Sequence, residues 1–392
     1  MFLTEVRRFN DEDLHAWATS ILTELKEAGK SFSAHYIGYG HWTLGRIQNQ
    51  LIEKNGVTII FCFDYTLNEQ KEDIIQQVNN NTDAELIWIG AEKQPFDHPR
   101  IKCIFWPADM LLQNKQYRKF TDVTKAPSKN RHWISTSLGI RPHRIYAASL
   151  LKGLGLDQHG DLRIKTVSQS GKRSPLVSEE LFKGNGFAPD DIPSLSQYVE
   201  HKWGITDQKE NISADATKGY EALIKRKWWG SSLFLFSDYM ALGFDQNNNA
   251  ANFDKNLRHL YQDKTLELVN ETSHRYDPVF VTEKFINAVV GLNFVVMNGP
   301  AGTVQLLEDL GWNSCRHVIN HDYDTIKNPI LRSEQAIRLN YKLFYDVQYC
   351  NQMWQNNIDI LKHNSQWARE RLYDKLLKIC TEQIKSSINA GF

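Results

Sequence analysis

Short apolar runs, separated by stretches of helical spacing, constrain the fold of this chain more than any other feature. Val57–Phe63, Glu85–Ile89 and Ile101–Trp106 are rich in β-branched and aromatic residues and have the length of buried strands. Asn68–Val78, between the first two, has the apolar spacing of a helix. Strands that alternate with helices in this way indicate a parallel sheet, so we predict an α/β fold.

The alternation resumes in the second half of the chain. Thr265–Asn270 and Phe294–Met297 are predicted strands, and each is followed by a loop and a helical stretch. From Arg332 to Ile388 nearly the whole sequence has a helical pattern, and an opening helix is predicted over Asn10–Gly29. The second half is therefore also predicted to be α/β, with helices at its end.

The length of the chain bears on its division into domains. A chain of 392 residues is too long for one ordinary core and indicates two domains of about 150–200 residues each. The polar, basic stretch from Lys115 to Asn130 is typical of a connection. We predict an N-terminal α/β domain over residues 1–130, a second α/β domain over residues 131–330, and C-terminal helices over residues 331–392.

Charge and composition limit the function classes. Lysine plus arginine total 46 and aspartate plus glutamate total 46, so no global field attracts nucleic acid or an anionic membrane. The charged N-terminus lacks the apolar region of a signal peptide, and the longest apolar runs are too short to span a membrane. Five scattered cysteines without a CxxC pair indicate free thiols. We expect a cytoplasmic protein without a membrane partner.

The segment Leu266–Gly311 carries the strongest chemical pattern. It has the order strand, loop, helix, strand, loop, helix, so both loops lie at the carboxyl ends of neighbouring strands, where open α/β sheets bind ligands. Thr282 is predicted to cap the first helix with its hydroxyl, with Glu283 and Lys284 in the first turn. Helix N-termini favour anions, a carboxylate can accept hydrogen bonds from ribose hydroxyls, and lysine supplies charge to phosphate.

A plainer interpretation of the same residues exists. An adjacent Glu-Lys pair in a first helical turn is usually solvated, and a Gly-Pro-Ala-Gly loop such as Gly299–Gly302 is more often an ordinary turn. Lys284, however, lies at the positive end of the predicted helix dipole, which is unfavourable unless an anion is close by. This feature favours a ligand-binding interpretation.

The run ETSHRYDPVFVTEKFINAVVGLNFVVMNGP, from Glu271 to Pro300, resembles the donor-binding motif of α1,3-fucosyltransferase-type glycosyltransferases. It is also similar to glycosyltransferase-like proteins of large viruses and phages, in which a Gly-Pro-x-Gly loop follows. The resemblance implies two Rossmann-like domains in a GT-B-like arrangement, with C-terminal helices packing across them. It implies that a nucleotide-sugar donor is bound by Glu271, Thr272, Ser273, Phe280, Thr282, Glu283, Lys284, Gly299 and Gly302.

A second stretch, Ser137–Arg144, resembles the sequence that precedes the phosphate-contacting arginine of that family. The resemblance assigns this role to Arg144, for which the alternative is an ordinary surface arginine. Together the two matching regions cover less than a quarter of the chain. Thr272 stands where the family has asparagine and Phe280 where tyrosine is usual, and both changes touch the donor pocket. The resemblance therefore leaves open the sugar and whether the donor is UDP- or GDP-linked.

The catalytic base is expected in the N-terminal domain, which normally supplies the acceptor side of such enzymes. An inverting transferase needs a base to remove the proton of the acceptor hydroxyl as the sugar is attacked. His41, in a Gly-Tyr-Gly-His loop, and Asp64, after the apolar run Val57–Phe63, are the candidates. Each residue taken alone is more often a cap or loop residue.

No essential metal is predicted. Asp11–Asp13 and Asp322–Asp324 match the DxD metal motif only superficially, and the thirteen histidines show no HExxH spacing. Lys284 and Arg144 are expected to offset the charge of the leaving group instead. The only cofactor-like molecule expected is the nucleoside diphosphate sugar, as a co-substrate.

Three classes of acceptor are open: a glycan, a small molecule, or a hydroxymethylated base in phage DNA. The DNA acceptor is suggested by the phage-like relatives and by the basic–aromatic cluster Lys225–Trp229, which is more often a solvated charge beside a core strand. In a viral setting, the compartment would be the host cytoplasm. The competing hypothesis is a non-catalytic protein that binds nucleic acid or a sugar nucleotide on a transferase scaffold.

Overall fold

The computed structural model describes residues 23, 32–37, 55–62, 68–81, 83–90, 96–105, 122–137, 142–164, 194–203, 211–225, 258–271, 279 and 281–389. The chain divides into two compact units. The first comprises Met1–Lys115, Asp277–Val281 and Arg371–Phe392, and the second comprises Gln116–Tyr276 and Thr282–Glu370. The predicted division into residues 1–130, 131–330 and 331–392 stays a prediction.

The first unit is built on a parallel sheet in the order β1-β2-β3-β4. Its buried apolar side chains, among them Ile60, Leu86 and Trp88, pack against Ile74 and Val78 of the first helix, as the alternation of apolar runs predicts. The elements are β1 (Phe32–Ile37), β2 (Asn55–Cys62), α1 (Asn68–Asn80), β3 (Asp83–Gly90) and β4 (Ile101–Phe105).

The second unit contains another parallel sheet, in the order β6-β5-β7-β8. Every residue of β7 and β8 is buried, as expected for parallel strands that are covered on both faces. The strands are β5 (Trp133–Ser137), β6 (Gly160–Ile164), β7 (Leu266–Asn270) and β8 (Phe294–Asn298).

Helices surround this second sheet. The helices Pro142–Gly153 and Ala214–Lys225 approach each other closely because each has a glycine at the contact. A Cβ on Gly153 would lie 1.8 Å from the backbone oxygen of Asp215, and a Cβ on Gly219 would lie 1.8 Å from the backbone oxygen of Ser149. The helices of the unit are α2 (Pro142–Gly153), α3 (Leu195–Trp203), α4 (Ala214–Lys225), α5 (Arg258–Tyr261), α6 (Glu283–Val290), α7 (Thr303–Asp309), α8 (Pro329–Arg338), α9 (Tyr341–Tyr345), α10 (Val347–Asn356) and α11 (Ile358–Gln366). The last helix, α12 (Leu372–Asn389), belongs to the first unit.

A buried carboxyl group lies within β7. Glu267 is 0% exposed, and its Oε1 accepts hydrogen bonds from Thr136 Oγ1 (3.2 Å) and Tyr261 Oη (3.3 Å). Burial raises the pKa of Glu267 to about 8, and the hydrogen bonds and the charge of Lys125 only partly oppose this shift. Glu267 is therefore mostly protonated in the folded protein at neutral pH.

Lys125 lies beside this carboxyl group and ties three segments together. Its Nζ donates hydrogen bonds to the backbone oxygens of Tyr261 (2.7 Å) and Lys264 (2.5 Å) and to Asn293 Oδ1 (2.6 Å). Burial lowers the pKa of Lys125 well below its usual value, and the charges of Glu267 and Asp263 only partly oppose this shift. Three acceptors match the three N–H groups of an ammonium ion, so the geometry favours the charged form.

The sequence predictions of fold class are confirmed at the level of an α/β protein with parallel sheets. The five predicted strands agree with β2, β3, β4, β7 and β8 to within two residues at each end, and the helical tail is present. Strands β1, β5 and β6 were not predicted. The opening helix over Asn10–Gly29 lies outside the described residues, except for Thr23, which is helical. Within the described part of the chain, no helix is both long enough and apolar enough to cross a membrane.

Candidate functional site

The strand order of the second unit marks one edge of its sheet as a place for a ligand. The chain passes from β5 to β6 on one side and then returns to place β7 on the other side of β5. In open α/β sheets, a crevice forms outside the carboxyl ends of the two strands between which the connections diverge. Here those ends are Ser137 and Asn270, so the carboxyl edge of β5 and β7 is the candidate site.

The first turn of α2 lies at this edge and is basic. His143 and Arg144 are 2% and 3% exposed. His143 Nε2 donates to the backbone oxygen of Glu271 (2.8 Å), and Arg144 Nη2 donates to the backbone oxygens of Asn270 (3.3 Å) and Glu271 (3.2 Å). Two basic side chains at the positive end of a helix dipole are unfavourable alone, and these carbonyl dipoles offset part of the cost. Arg144 is thus a buried residue and not the surface arginine of the alternative interpretation.

The side chain of Glu271 holds the start of α6. Glu271 is 0% exposed; its Oε1 accepts from the backbone N–H of Thr282 (3.1 Å) and its Oε2 from the Thr282 hydroxyl (2.6 Å). Thr282 is the N-cap residue of α6, but its side chain makes no capping hydrogen bond. The prediction that its hydroxyl satisfies N–H groups of the first turn was therefore wrong, because a tertiary acceptor takes that proton instead.

Lys284 is held between two oxygen atoms. Its Nζ lies 2.9 Å from Thr282 Oγ1 and 2.9 Å from Glu283 Oε1, and its side chain is 7% exposed, against 20% for Glu283. The pair is therefore largely buried, unlike the solvated pair that is typical of a first helical turn. Of the two side chains, Glu283 is the more accessible to a ligand.

The pKa values show which charges act on one another. Burial opposes ionisation of Glu283, but the charges of Lys284 and Arg144 and the hydrogen bonds from Lys284 and from the backbone N–H of Glu283 lower its pKa below the usual range. Burial raises the pKa of Glu271, against the charge of Lys284 and the hydrogen bonds from Thr282. Arg144 and Glu283, far apart in sequence, thus belong to one electrostatic cluster.

The loop after β8 packs against the same cluster. Gly299 is buried, and a Cβ there would lie 3.5 Å from Glu271 Cγ, an ordinary van der Waals distance, so the loop packs directly against Glu271. Gly302 has a φ of 81°, in the left-handed region that glycine adopts without strain. The two glycines of the predicted Gly299–Gly302 loop thus have distinct structural roles beside the site.

The N-terminus of α7, which follows this loop, is occupied. Asp324 Oδ2 accepts from the backbone N–H of Gln305 (3.2 Å), and the backbone oxygen of Asp324 accepts from that of Gly302 (2.9 Å). The carboxylate also accepts from the N–H of Val304. The expectation that this helix start offers its N–H groups to a diphosphate was therefore wrong, because the chain's own carboxylate caps it.

A buried chain of polar side chains crosses the sheet at the same edge. Asn270 Nδ2 donates to Ser135 Oγ (2.8 Å), Asn298 Nδ2 donates to Asn270 Oδ1 (2.5 Å), and Ser333 Oγ donates to Asn298 Oδ1 (2.8 Å). These hydrogen bonds fix the middle of β5 and the ends of β7 and β8 relative to one another. Sequence reasoning missed this network; the only signal was an asparagine as the last residue of each of two apolar strands.

Several predicted site residues lie outside the described residues. These are the base candidates His41 and Asp64 and the donor-loop residues Thr272, Ser273 and Phe280, together with the basic–aromatic cluster apart from Lys225. The structure brings together Arg144, Glu271, Thr282, Glu283, Lys284 and Gly299. Among the residues that the structure describes, no group of three or more His, Cys, Asp or Glu side chains could hold a metal ion.

Comparison of the chain with protein-family models, curated proteins and solved structures gave no match.

Proposed function

We propose that the protein is a glycosyltransferase that moves a sugar from a nucleoside diphosphate sugar to an acceptor hydroxyl. The observation that carries the proposal is the junction of Arg144, Glu283 and Lys284 beside the strand ends where the connections of the sheet diverge. These are the three residues to which the sequence resemblance assigns the ribose and the diphosphate. The resemblance involves sequence alone, so the spatial convergence is independent support.

Each of the three residues has a proposed role that fits its surroundings. Glu283, the most accessible of them, accepts hydrogen bonds from the ribose hydroxyls, for which its lowered pKa keeps it ionised. Lys284 donates to the diphosphate. Arg144, buried and bonded to backbone oxygens, adds fixed positive charge close to the phosphates. The two cations offset leaving-group charge without an essential metal.

We further propose that the two units are the two Rossmann-like domains of a GT-B-like enzyme. The second unit binds the donor, and the first supplies the acceptor side with His41 or Asp64 as the base of an inverting reaction. Parallel α/β sheets in both units support this assignment. Glycans, small molecules and modified DNA bases are the acceptor classes to be screened.

The first prediction concerns nucleotide binding. In a thermal-shift panel of UDP, GDP, ADP and CMP, we expect UDP or GDP to raise the melting temperature by several degrees. At a concentration of 100 Kd, binding stabilises the folded protein by about 2.7 kcal/mol. The absence of a shift with every nucleotide would contradict the donor site.

The residue-level version of this test uses Lys284→Ala. The variant is expected to lose most of the nucleotide-induced shift, since it removes the donor to the diphosphate, and turnover should fall with it. Its melting temperature without nucleotide will also fall, because Glu283 and Glu271 lose the nearby cation. Each shift is therefore measured from the variant's own baseline. Lys362→Ala, an exposed lysine on α11, is the matched control and should keep the wild-type shift.

A further inference from the structure

Glu271 is hydrogen-bonded to three of the elements that meet at the candidate site, β8, α2 and α6. Its backbone N–H donates to the backbone oxygen of Asn298 (3.0 Å) at the end of β8, and its backbone oxygen accepts from His143 and Arg144 at the start of α2. Its carboxylate binds Thr282 at the start of α6. Glu271 itself is 0% exposed, so its side chain is not accessible to a ligand.

Thr282 connects Lys284 to Glu271 through two hydrogen bonds, and each has its donor on the Lys284 side. A lysine ammonium group can only donate, so Thr282 Oγ1 is the acceptor of the 2.9 Å bond from Lys284 Nζ. The single hydrogen of the Thr282 hydroxyl then points to Glu271 Oε2, 2.6 Å away. The other carboxylate oxygen takes the backbone N–H of Thr282. Both oxygens of Glu271 thus receive a donor, which fits the ionised form and fixes the threonine side chain.

We propose that Glu271 is the positioning residue of the site and acts on the donor through Thr282 and Lys284. Thr282 is then not a ligand-binding residue but the link by which Glu271 sets the place of the Lys284 ammonium group. The inference rests on the proposed function for the identity of the ligand, a nucleoside diphosphate. The geometry of the link itself depends only on the hydrogen bonds among these three residues.

The link predicts a loss that is selective for the diphosphate. Thr282→Val keeps the shape of the side chain but removes the hydroxyl, so Lys284 loses the Thr282 oxygen as a hydrogen-bond acceptor. We expect UDP or GDP to bind about tenfold more weakly, the effect of one charge-assisted hydrogen bond. Binding of uridine or guanosine, which lack phosphate, should not change. Thr282→Ser restores a hydroxyl and should restore diphosphate affinity; both are measured by calorimetry.

Matched controls separate positioning from general damage. Thr217→Val removes an exposed threonine hydroxyl on α4 and should leave both affinities unchanged. If Thr282→Val lowers the affinities for nucleoside and diphosphate together, the residue is merely structural and the positioning role is overturned. Wild-type affinity for the diphosphate in Thr282→Val would overturn it equally.

A measurement without ligand keeps this inference distinct from the proposed function. The ¹⁵N–¹H signal of a lysine ammonium group is observable when ordered hydrogen bonds slow its exchange, so Lys284 should give a signal in the wild type and in Thr282→Ser. The signal should be lost or shifted in Thr282→Val. An unchanged signal would overturn the positioning role, whereas a changed signal in a protein that binds no nucleotide would support the link and refute the donor site.

Discussion

Lys125→Met is expected to lower the free energy of unfolding by about 3 kcal/mol, the upper end for loss of a hydrogen bond that involves a charged group. The upper end applies because three oxygen acceptors share the one ammonium donor. The substitution leaves the backbone oxygens of Tyr261 and Lys264 and the Asn293 side-chain oxygen without the ammonium donor. Each acceptor left without a partner adds to the cost.

Urea denaturation of three variants tests this expectation. Lys129→Met, a change to an exposed lysine in the same segment, should move the transition by less than about 0.5 kcal/mol. In the double variant Lys125→Met/Glu267→Gln, the loss should be smaller than the sum of the two single losses, because Glu267 interacts with Lys125. Strict additivity of the two single losses in the double variant would show that Lys125 and Glu267 do not interact. A stability loss in Lys125→Met no larger than that in Lys129→Met would contradict the prediction.

The same cluster predicts a pH dependence. The pKa of Glu267 is raised by burial from 4.5 to about 8, so between these values the unfolded chain is ionised while the folded protein keeps its proton. The folded state then binds more protons, and the free energy of unfolding falls as the pH rises. The contribution of the protonated Glu267 carboxyl group to the free energy of unfolding is fully present below about pH 4.5 and lost above about pH 8.

Comparison of the wild type with Glu267→Gln isolates this carboxyl group. From pH 5 to pH 8 the wild type should lose stability relative to the variant, with a slope of up to about 1.4 kcal/mol per pH unit. Chemical denaturation at several pH values measures it. Parallel curves for the two proteins would mean that Glu267 titrates alike in the folded and unfolded chains.

The sequence was most informative for strands that are apolar over most of their length. Strands β2, β3, β7 and β8 are apolar over most of their length because parallel strands with both faces covered admit few polar side chains. Of the three strands that were missed, β1 and β6 lie at the ends of the strand order in their sheets, and β5 lies inside its sheet. The β6 sequence, GDLRI, carries a glycine and two charges, which an edge strand tolerates. Its pattern is therefore that of a loop.

The candidate site was predictable only in part. The convergence of two loops at strand ends follows from the order of elements, and this order can be read from the sequence. The position of Arg144 beside Glu283 depends on β5 and β7 being neighbours, which no local pattern encodes. Local rules also assigned the Thr282 hydroxyl to a helix cap. In the structure the hydroxyl instead donates to the carboxylate of Glu271, eleven residues upstream.

Arg332→Met is the other change with a large expected effect, a loss of about 3 kcal/mol in the free energy of unfolding. Arg332 is 1% exposed; its Nε donates to the backbone oxygen of Gly299 (2.8 Å), and its Nη1 donates to those of Ile326 (2.5 Å) and Lys327 (3.1 Å). Methionine fills similar space but donates nothing, so the buried oxygen of Gly299 is left without this donor. Burial raises the pKa of Asp324 and the Arg332 cation partly opposes this shift, so its loss further disfavours the ionised carboxylate that caps α7.

Arg332→Met should also affect ligand binding, because Arg332 holds the backbone of Gly299 and Gly299 packs against Glu271. A substitution far from the site that costs the same stability should affect binding less. We expect Arg332→Met to weaken UDP or GDP binding as well as stability. Arg332→Lys, which keeps the charge but not the planar fork, should be intermediate in both, since one ammonium group cannot reproduce the guanidinium geometry across the two loops. Arg371→Met, at an exposed arginine, is the control. Stability loss in Arg332→Met with unchanged nucleotide affinity would separate this loop from the donor site and confine the site to α2 and α6.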